Sequence, residues 1–329
     1  MNLTNKNFYQ DIKSLLQKAR NQVYQTINIT MTQTYYEIGK RIVEEEQGGE
    51  SRAEYGKALL KNLSVELINE FGKGYSLRNI EQMRKFYLCF QKTQTLSTEF
   101  KLSWSHYIFL TRIDNQDERN FYEIEALENS WSLRELKRQF DTGLFERLAL
   151  SKDKSKVKEL SSKGQVVQSI DDMIKDPYIL EFVGLRELST YSESELEQKL
   201  IDKLEHFLLE LGKGFTFVAR QKRITIDEKH FKVDLVFYNR FLKSFVVIDL
   251  KIGELKHQDI GQMMMYVNYF DRYEKAEDEN PTVGIILCKD KSKTLVELTL
   301  PKDNNQIYAS KYLTVLPNKE DFKKLLETE

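Results

Sequence analysis

Residues 231–271 limit the folds open to this chain more than any other stretch. They open with Phe231-Lys-Val-Asp-Leu-Val-Phe-Tyr, turn over Phe241 to Ser244, and continue with Phe245-Val-Val-Ile-Asp-Leu-Lys-Ile-Gly253. Side chains alternate across a strand, so Val233, Leu235 and Phe237 are expected on one face, with Asp234 and Tyr238 on the other. The second run is apolar nearly throughout, the mark of a strand buried on both faces. Its polar members, Asp249 and Lys251, are two apart and share a face. An unpaired buried polar group costs about 2–7 kcal/mol, and an unpaired charge more. The two therefore pair with each other or meet a bound cation. Gly253 is expected to break the strand. The spacing then predicts a helix over 259–270 with Gln262 and Tyr266 on one face. A short loop can turn that face toward the strand's carboxyl end.

Upstream, the pattern is helical. Residues 5–46 and 53–71 carry apolar residues at helical spacing, and Gly72-Lys-Gly-Tyr forms a turn. Ser76 is a good N-cap for a helix running to Phe90. Helix, glycine-rich turn, helix is the shape of a helix-turn-helix unit. Its second helix carries Arg78, Asn79, Gln82, Arg84 and Lys85, residue types that contact phosphates and base edges. An ordinary hairpin with a solvated charged face has the same pattern. His106 lies beside Trp104 and Tyr107, which favours a structural role. Ser132 to Glu135 forms a capping box. No strand-like run precedes residue 160.

Residues 151–165 are rich in Lys, Asp and Ser and read as a linker. Residues 192–211 read as one amphipathic helix. Phe215 to Gln221, Ile224 to Ile226 and Thr282 to Cys288 read as strands, with edge strands expected at 295–300 and 312–316. The fold class is therefore α followed by α/β: a helical domain over 1–150, a linker over 151–170, and an α/β domain over 171–329 with a mixed sheet.

The formal net charge of −1 over 329 residues gives no global pull toward nucleic acid, so any binding face is a local patch. The two cysteines, Cys89 and Cys288, lack zinc-ligand spacing, and Cys288 reads as a core residue. The first residues lack an apolar signal region, and no run of about 18 apolar residues occurs. The expectation is a cytoplasmic chain without a membrane span.

Asp234 followed by Asp249-Leu-Lys251 resembles the PD-(D/E)xK nuclease signature, and Gln262 with Tyr266 resembles the Q-x-x-x-Y motif of one branch. Phe207-Leu-Leu-Glu-Leu-Gly-Lys-Gly-Phe, Gly284-Ile-Ile-Leu-Cys-Lys, Tyr36-Glu-Ile-Gly-Lys-Arg-Ile and Ser103-Trp-Ser-His are similar to phrases of the bacterial YhcG-type family. That family joins a helical domain to a restriction-endonuclease-like domain. Val233 stands in place of the superfamily's proline. Position 249 is Asp where the family favours Glu, one methylene longer.

The resemblance implies a Mg²⁺- or Mn²⁺-dependent nuclease acting on DNA. Asp234 and Asp249 would hold the metal with the Leu250 carbonyl, and Lys251 would orient water and stabilise charge. Glu197 sits where a helical acid is expected, although Ser194 with Glu197 and Ser192 with Glu195 both read as capping boxes. Gln262 and Tyr266 would flank the site. Gln221, Arg220 and Arg223, with Arg78 and Arg84 of the helical domain, are the candidate nucleic-acid contacts. A non-catalytic binding or assembly protein that keeps the fold is the rival reading, and the N-terminal helices are candidates for pairing with a second copy or a partner protein.

Overall fold

The structure, a computed structural model, describes residues 3–48, 53–91, 100–150, 154–167, 169–185 and 191–315. Ser151 and Leu316, the ends of two expected segments, lie outside these. The chain divides into two compact units, Met1–Lys137 and Arg138–Glu329.

The first unit is helical: α1 (Leu3–Gly48), α2 (Ala53–Phe71), α3 (Leu77–Phe90), α4 (Trp104–Leu110) and α5 (Gln116–Glu128), with α6 (Leu133–Asp141) crossing the boundary. The carboxyl half of α1 packs on α3 so closely that a Cβ at Gly39 would lie 2.1 Å from the Met83 carbonyl oxygen. Only glycine permits that approach. Around it, Tyr36, Phe86, Phe90, Phe100 and Tyr107 stack edge to face. Such pairs add about 0.5–1.5 kcal/mol each beyond their buried area. Tyr107 donates its hydroxyl to Glu123 at 3.0 Å, and burial pushes the Glu123 carboxyl up to about 7. Among the described residues, nothing gives the amino-terminal half of α1 such cover, and its large apolar residues from Phe8 to Ile27 are exposed.

The second unit continues with α7 (Leu144–Leu150) and α8 (Lys154–Lys163). It then forms β1 (Tyr178–Ile179), α9 (Glu193–Asp202), α10 (Leu204–Leu211), β2 (Phe215–Ile226), β3 (Lys229–Asn239), β4 (Ser244–Glu254), α11 (His257–Tyr273), β5 (Val283–Asp290), α12 (Lys293–Thr299) and β6 (Ile307–Leu313). Six strands form one mixed sheet in the order β1-β6-β5-β4-β3-β2. β4 runs antiparallel to β3 and parallel to β5.

Both faces of the sheet are covered. Val246, Ile248 and Leu250 of β4 pack with Leu196, Leu200, Phe207 and Leu211 of α9 and α10. On the other face Val247 packs with Ile260, Met263, Tyr266 and Val267 of α11. Gly284 of β5 lies directly beneath Met263, whose sulfur would be 2.5 Å from a Cβ there.

An ionic cluster with a fully buried centre sits in this unit. Arg147 Nη1 donates to Glu210 Oε1 at 2.6 Å and to the Pro177 carbonyl at 3.1 Å, and Nε donates to the Thr142 carbonyl at 3.0 Å. The Ile179 N–H donates to the same Glu210 oxygen at 2.9 Å, and Lys175 donates to the Glu210 carbonyl. Arg138 lies 3.6 Å from Glu210 Oε2 and 2.7 Å from Glu181.

Several local expectations change. Residues 154–163, expected within a linker, form α8, with Leu160 buried. The helix expected over 192–211 divides at Lys203, whose ψ of 32° leaves the helical range. β4 continues through Gly253 to Glu254. Residues 295–300, expected as a strand, belong largely to α12, which Ser292 caps by accepting the Leu295 N–H. Among the described residues, no helix is long and apolar enough to cross a membrane.

Candidate active site

β3 and β4 pair from Asn239 and Ser244 to Leu235 and Ile248, and then part. The next residues on the two strands are Asp234 and Asp249. Asp234 Oδ2 accepts the Leu250 N–H at 2.8 Å, filling the place of a strand carbonyl. On the other side of β3, the pairing steps from Arg220–Leu235 to Lys222–Val233, and Gln221 takes a left-handed backbone with φ 47°. That conformation costs a non-glycine residue about 1–3 kcal/mol. The expected alternation of β3 fails at Asp234. Val233 packs with Val236 beneath α11, whereas Leu235 and Phe237 face α9 and α10.

The hydrogen bonds of Gln221 offset that strain. Its side-chain nitrogen donates to Glu197 Oε2 at 2.5 Å and to Asp234 Oδ1 at 3.1 Å. Glu197 is thus not a helix cap. The capping box at the start of α9 is made by Ser192 and Glu195, which leaves Glu197 buried one turn inside, with Arg220 Nε at 3.1 Å. Asp249, 3% exposed, has Lys251 Nζ at 2.8 Å. Lys251 also lies 3.8 Å from Glu193. Sequence reasoning missed Glu193, although it stands four residues before Glu197, on the same helical face.

The charges do not balance. Burial pushes Asp249 up to about 6; Lys251 pulls it down, and Asp234 pushes it further up. Burial also raises Asp234, against the pull of the Leu250 N–H and Lys251. Glu197 is raised by burial, with Gln221 and Arg220 opposing and Asp234 adding to the rise. Burial alone would lower Lys251, but Asp249, Glu193 and Asp234 outweigh it, and the ammonium is held above its ordinary value.

α11 brings Tyr266 to the same place. Its hydroxyl accepts from Gln262 and donates to the Lys232 carbonyl at 2.8 Å, two residues from Asp234. The pair thus clamps the β3 backbone. Arg220 also reaches Gln198 at 3.0 Å, and Arg223 contacts His230 across the β2–β3 hairpin.

In the helical unit, α2 and α3 flank a single turn of 3₁₀ helix over Lys73–Tyr75. Arg84 is bound to Glu46 at 2.6 Å, and Asn79 is held by Gly74 and Trp104, while Arg78 is exposed. His106 lies between Ser103 and the Trp131 carbonyl, a structural position. Cys288 is buried in β5, and burial raises its thiol to about 11.

Family models match both parts of the chain: a YhcG PDDEXK nuclease domain over residues 171–327 and a DUF1016 N-terminal domain over residues 11–147. The "Putative nuclease YhcG" of Escherichia coli (strain K12) is 40% identical over 336 residues, covering 93% of this chain and 89% of its own length. Among solved structures, a repair endonuclease from Pyrococcus abyssi aligns with 37% of this chain at 22% identity and a TM-score of 0.26. An EndoMS complex with double-stranded DNA aligns with 38% at 19% identity and a TM-score of 0.28. The chain spans about half the length of those two chains, 48% and 46%. The identity to YhcG extends over nearly the whole chain, and with it this chain belongs to the YhcG nuclease family.

Proposed function

We propose that the second unit hydrolyses phosphodiester bonds in DNA with the help of a divalent cation, and that the helical unit serves recognition. The observation that carries this reading is the convergence of Glu197, Asp234 and Asp249, all with raised carboxyl pKa values, against Lys251 and, at Glu197, Arg220. Such a surplus of desolvated negative charge is relieved by a cation. The donor chemistry fits. Asp234, Asp249 and the Leu250 carbonyl offer hard oxygens, and Mg²⁺ takes one or two carboxylates while keeping several waters. Among the described residues, no group of three Asp, Glu, His or Cys side chains is placed to hold a metal ion, so the proposed set rests on Asp234, Asp249 and the Leu250 carbonyl. A divalent cation bound there would polarise a phosphoryl oxygen and lower the pKa of its water.

The chain's own residues do the rest. Lys251 keeps its proton, so it acts as a fixed positive charge facing the phosphate rather than as the base. Gln221 holds Glu197 and Asp234 together, and Tyr266 with Gln262 fixes the strand that carries Asp234. DNA is chosen over RNA on the family resemblance.

The test is cleavage of supercoiled plasmid and linear duplex, with RNA in parallel, in Mg²⁺ or Mn²⁺ and again with chelator. Wild type should cut. Lys251→Ala and Asp234→Asn should lose roughly 10²–10³-fold in rate while keeping the wild-type circular dichroism. Duplex binding without cleavage under every cation would favour the binding-protein reading instead.

A further inference from the structure

The amino-terminal half of α1 carries an apolar stripe that nothing among the described residues covers. Phe8, Ile12, Leu15, Leu16, Val23 and Ile27 fall within about 120° of arc on a helix of 3.6 residues per turn. Their exposures lie between 41 and 62%, and Tyr9 and Tyr24 beside them are 60 and 67% exposed. A lone exposed leucine needs no explanation, but a contiguous stripe about 29 Å long does. Local propensity does not account for the helix either. Val23, Thr26, Ile27, Ile29 and Thr30 are β-branched, which weakens a helix in isolation, and most helical stability in proteins comes from packing an apolar face.

We infer that this stripe pairs with the same stripe of a second copy of the chain, making the protein a homodimer through α1. The area fits. At about 150–250 Å² per large side chain, the eight residues leave on the order of 800 Å² uncovered. A stable interface takes about 800 Å² from each partner. Two identical stripes about a two-fold axis meet that need, because such an interface is self-complementary.

The middle of the stripe suits a close partner helix. Ala19 gives room for approach, and the Thr26 hydroxyl already donates to the Gln22 carbonyl at 3.0 Å, so burying it strands no polar group. The opposite arc centres on Gln10, Ser14, Gln17 and Gln25. Lys13, Lys18 and Arg20 stand between the stripe and that arc, as on helices that lie on a membrane, so a lipid surface is the rival occupant that the vesicle arm of the experiment tests. Nucleic acid is unsuited to an apolar stripe, since its contacts are largely to phosphate.

The experiment is sedimentation of the full chain at about 1–100 µM, a range over which standard-size interfaces associate. Wild type should sediment as a dimer, and its helical circular dichroism should grow as the dimer forms. Leu15→Glu combined with Leu16→Glu places charges in the interface. It should weaken association on the order of a hundredfold or more and leave the near-ultraviolet signal of Trp104 and Trp131 unchanged, since both positions face solvent in the single chain. Gln10→Lys combined with Gln25→Lys, on the opposite arc, should leave the dimer intact. A wild type that remains monomeric across the range overturns the inference. So does equal disruption by both pairs of substitutions, or a monomer that floats with phosphatidylcholine–phosphatidylglycerol vesicles.

Discussion

The second unit holds two clusters of buried acids and bases, and they differ in how far their charges are compensated. Burial alone would raise the Glu210 carboxyl, but Arg147, Lys175 and Arg138 together outweigh it and hold it below the usual carboxylate range. Asp249 sits among the same kinds of residue, yet burial wins and its carboxyl rises to about 6. Its single lysine is shared with Glu193, and Asp234 stands close by. The charge of Glu210 is compensated by the protein itself. The acids around Asp249 hold negative charge that only a cation or protons can neutralise. Burial of charge is thus common to both clusters, and the degree of compensation is what separates them.

The largest effect that tests this contrast is on stability. Glu210→Ala should destabilise the fold by about 3–5 kcal/mol, because it leaves Arg147 buried without its acid. Arg147→Met combined with Glu210→Met should recover much of that loss, since replacing both ions of a buried pair by packed apolar groups is often neutral. Asp249→Asn should stay within about 1 kcal/mol of wild type in chemical denaturation, because losing a desolvated charge offsets losing the lysine contact. Equal destabilisation by Glu210→Ala and Asp249→Asn would erase the distinction.

A smaller effect sharpens it. A carboxyl whose folded pKa is raised binds its proton more tightly folded than unfolded. Its contribution to stability is full below the ordinary carboxylate range and is lost as pH rises through the folded value, here about 6 for Asp249. The metal-free protein should therefore lose melting temperature across that window. Millimolar Mn²⁺ should restore a few degrees at pH 8 and less at pH 5, where protons compete for the same oxygens. Glu123, raised to about 7, adds to the same trend from the helical unit, so Glu123→Gln separates the two contributions. An Mn²⁺ shift that is independent of pH would remove the carboxylates from the cation site.

The smallest effect concerns reach. Asp249 is a methylene shorter than glutamate. Mn²⁺ binds a given oxygen site more tightly than Mg²⁺ in many proteins. Wild type should then cut faster with Mn²⁺, and Asp249→Glu should narrow the Mn²⁺/Mg²⁺ rate ratio. An Asp249→Glu enzyme that is dead with both ions would show the aspartate to be fitted to its place.

The sequence carried the parts of this site that repeat along an element. β4 alternates as its residues dictate, and its face assignment for Asp249 and Lys251 holds because both sides of the strand are buried. The bounds of α2 were legible from its leucine stripe and its closing glycine. The misreadings fall where a tertiary neighbour decides. Nothing local marks Gln221 as left-handed; its strain is held by Glu197 and Asp234, distant in sequence. Residues 295–300 are a short apolar run, which periodicity cannot assign, and the Ser292 cap settles them as helix. Glu210 stood in plain view between Leu209 and Leu211, an acid on an apolar helix, but its partner Arg147 lies 63 positions upstream.

That separation bears on how such proteins can be shuffled in evolution or in the laboratory. The family model for the amino-terminal domain ends at residue 147, and the one for the nuclease domain begins at 171. A recombination joining a new partner at residue 171 would discard Arg138, Arg147 and the Thr142 carbonyl, yet keep Glu210 in its apolar pocket. The heritable cassette is therefore longer than the domain that names it. Exchanges that carry residues 138–170 along with the nuclease are the ones expected to survive.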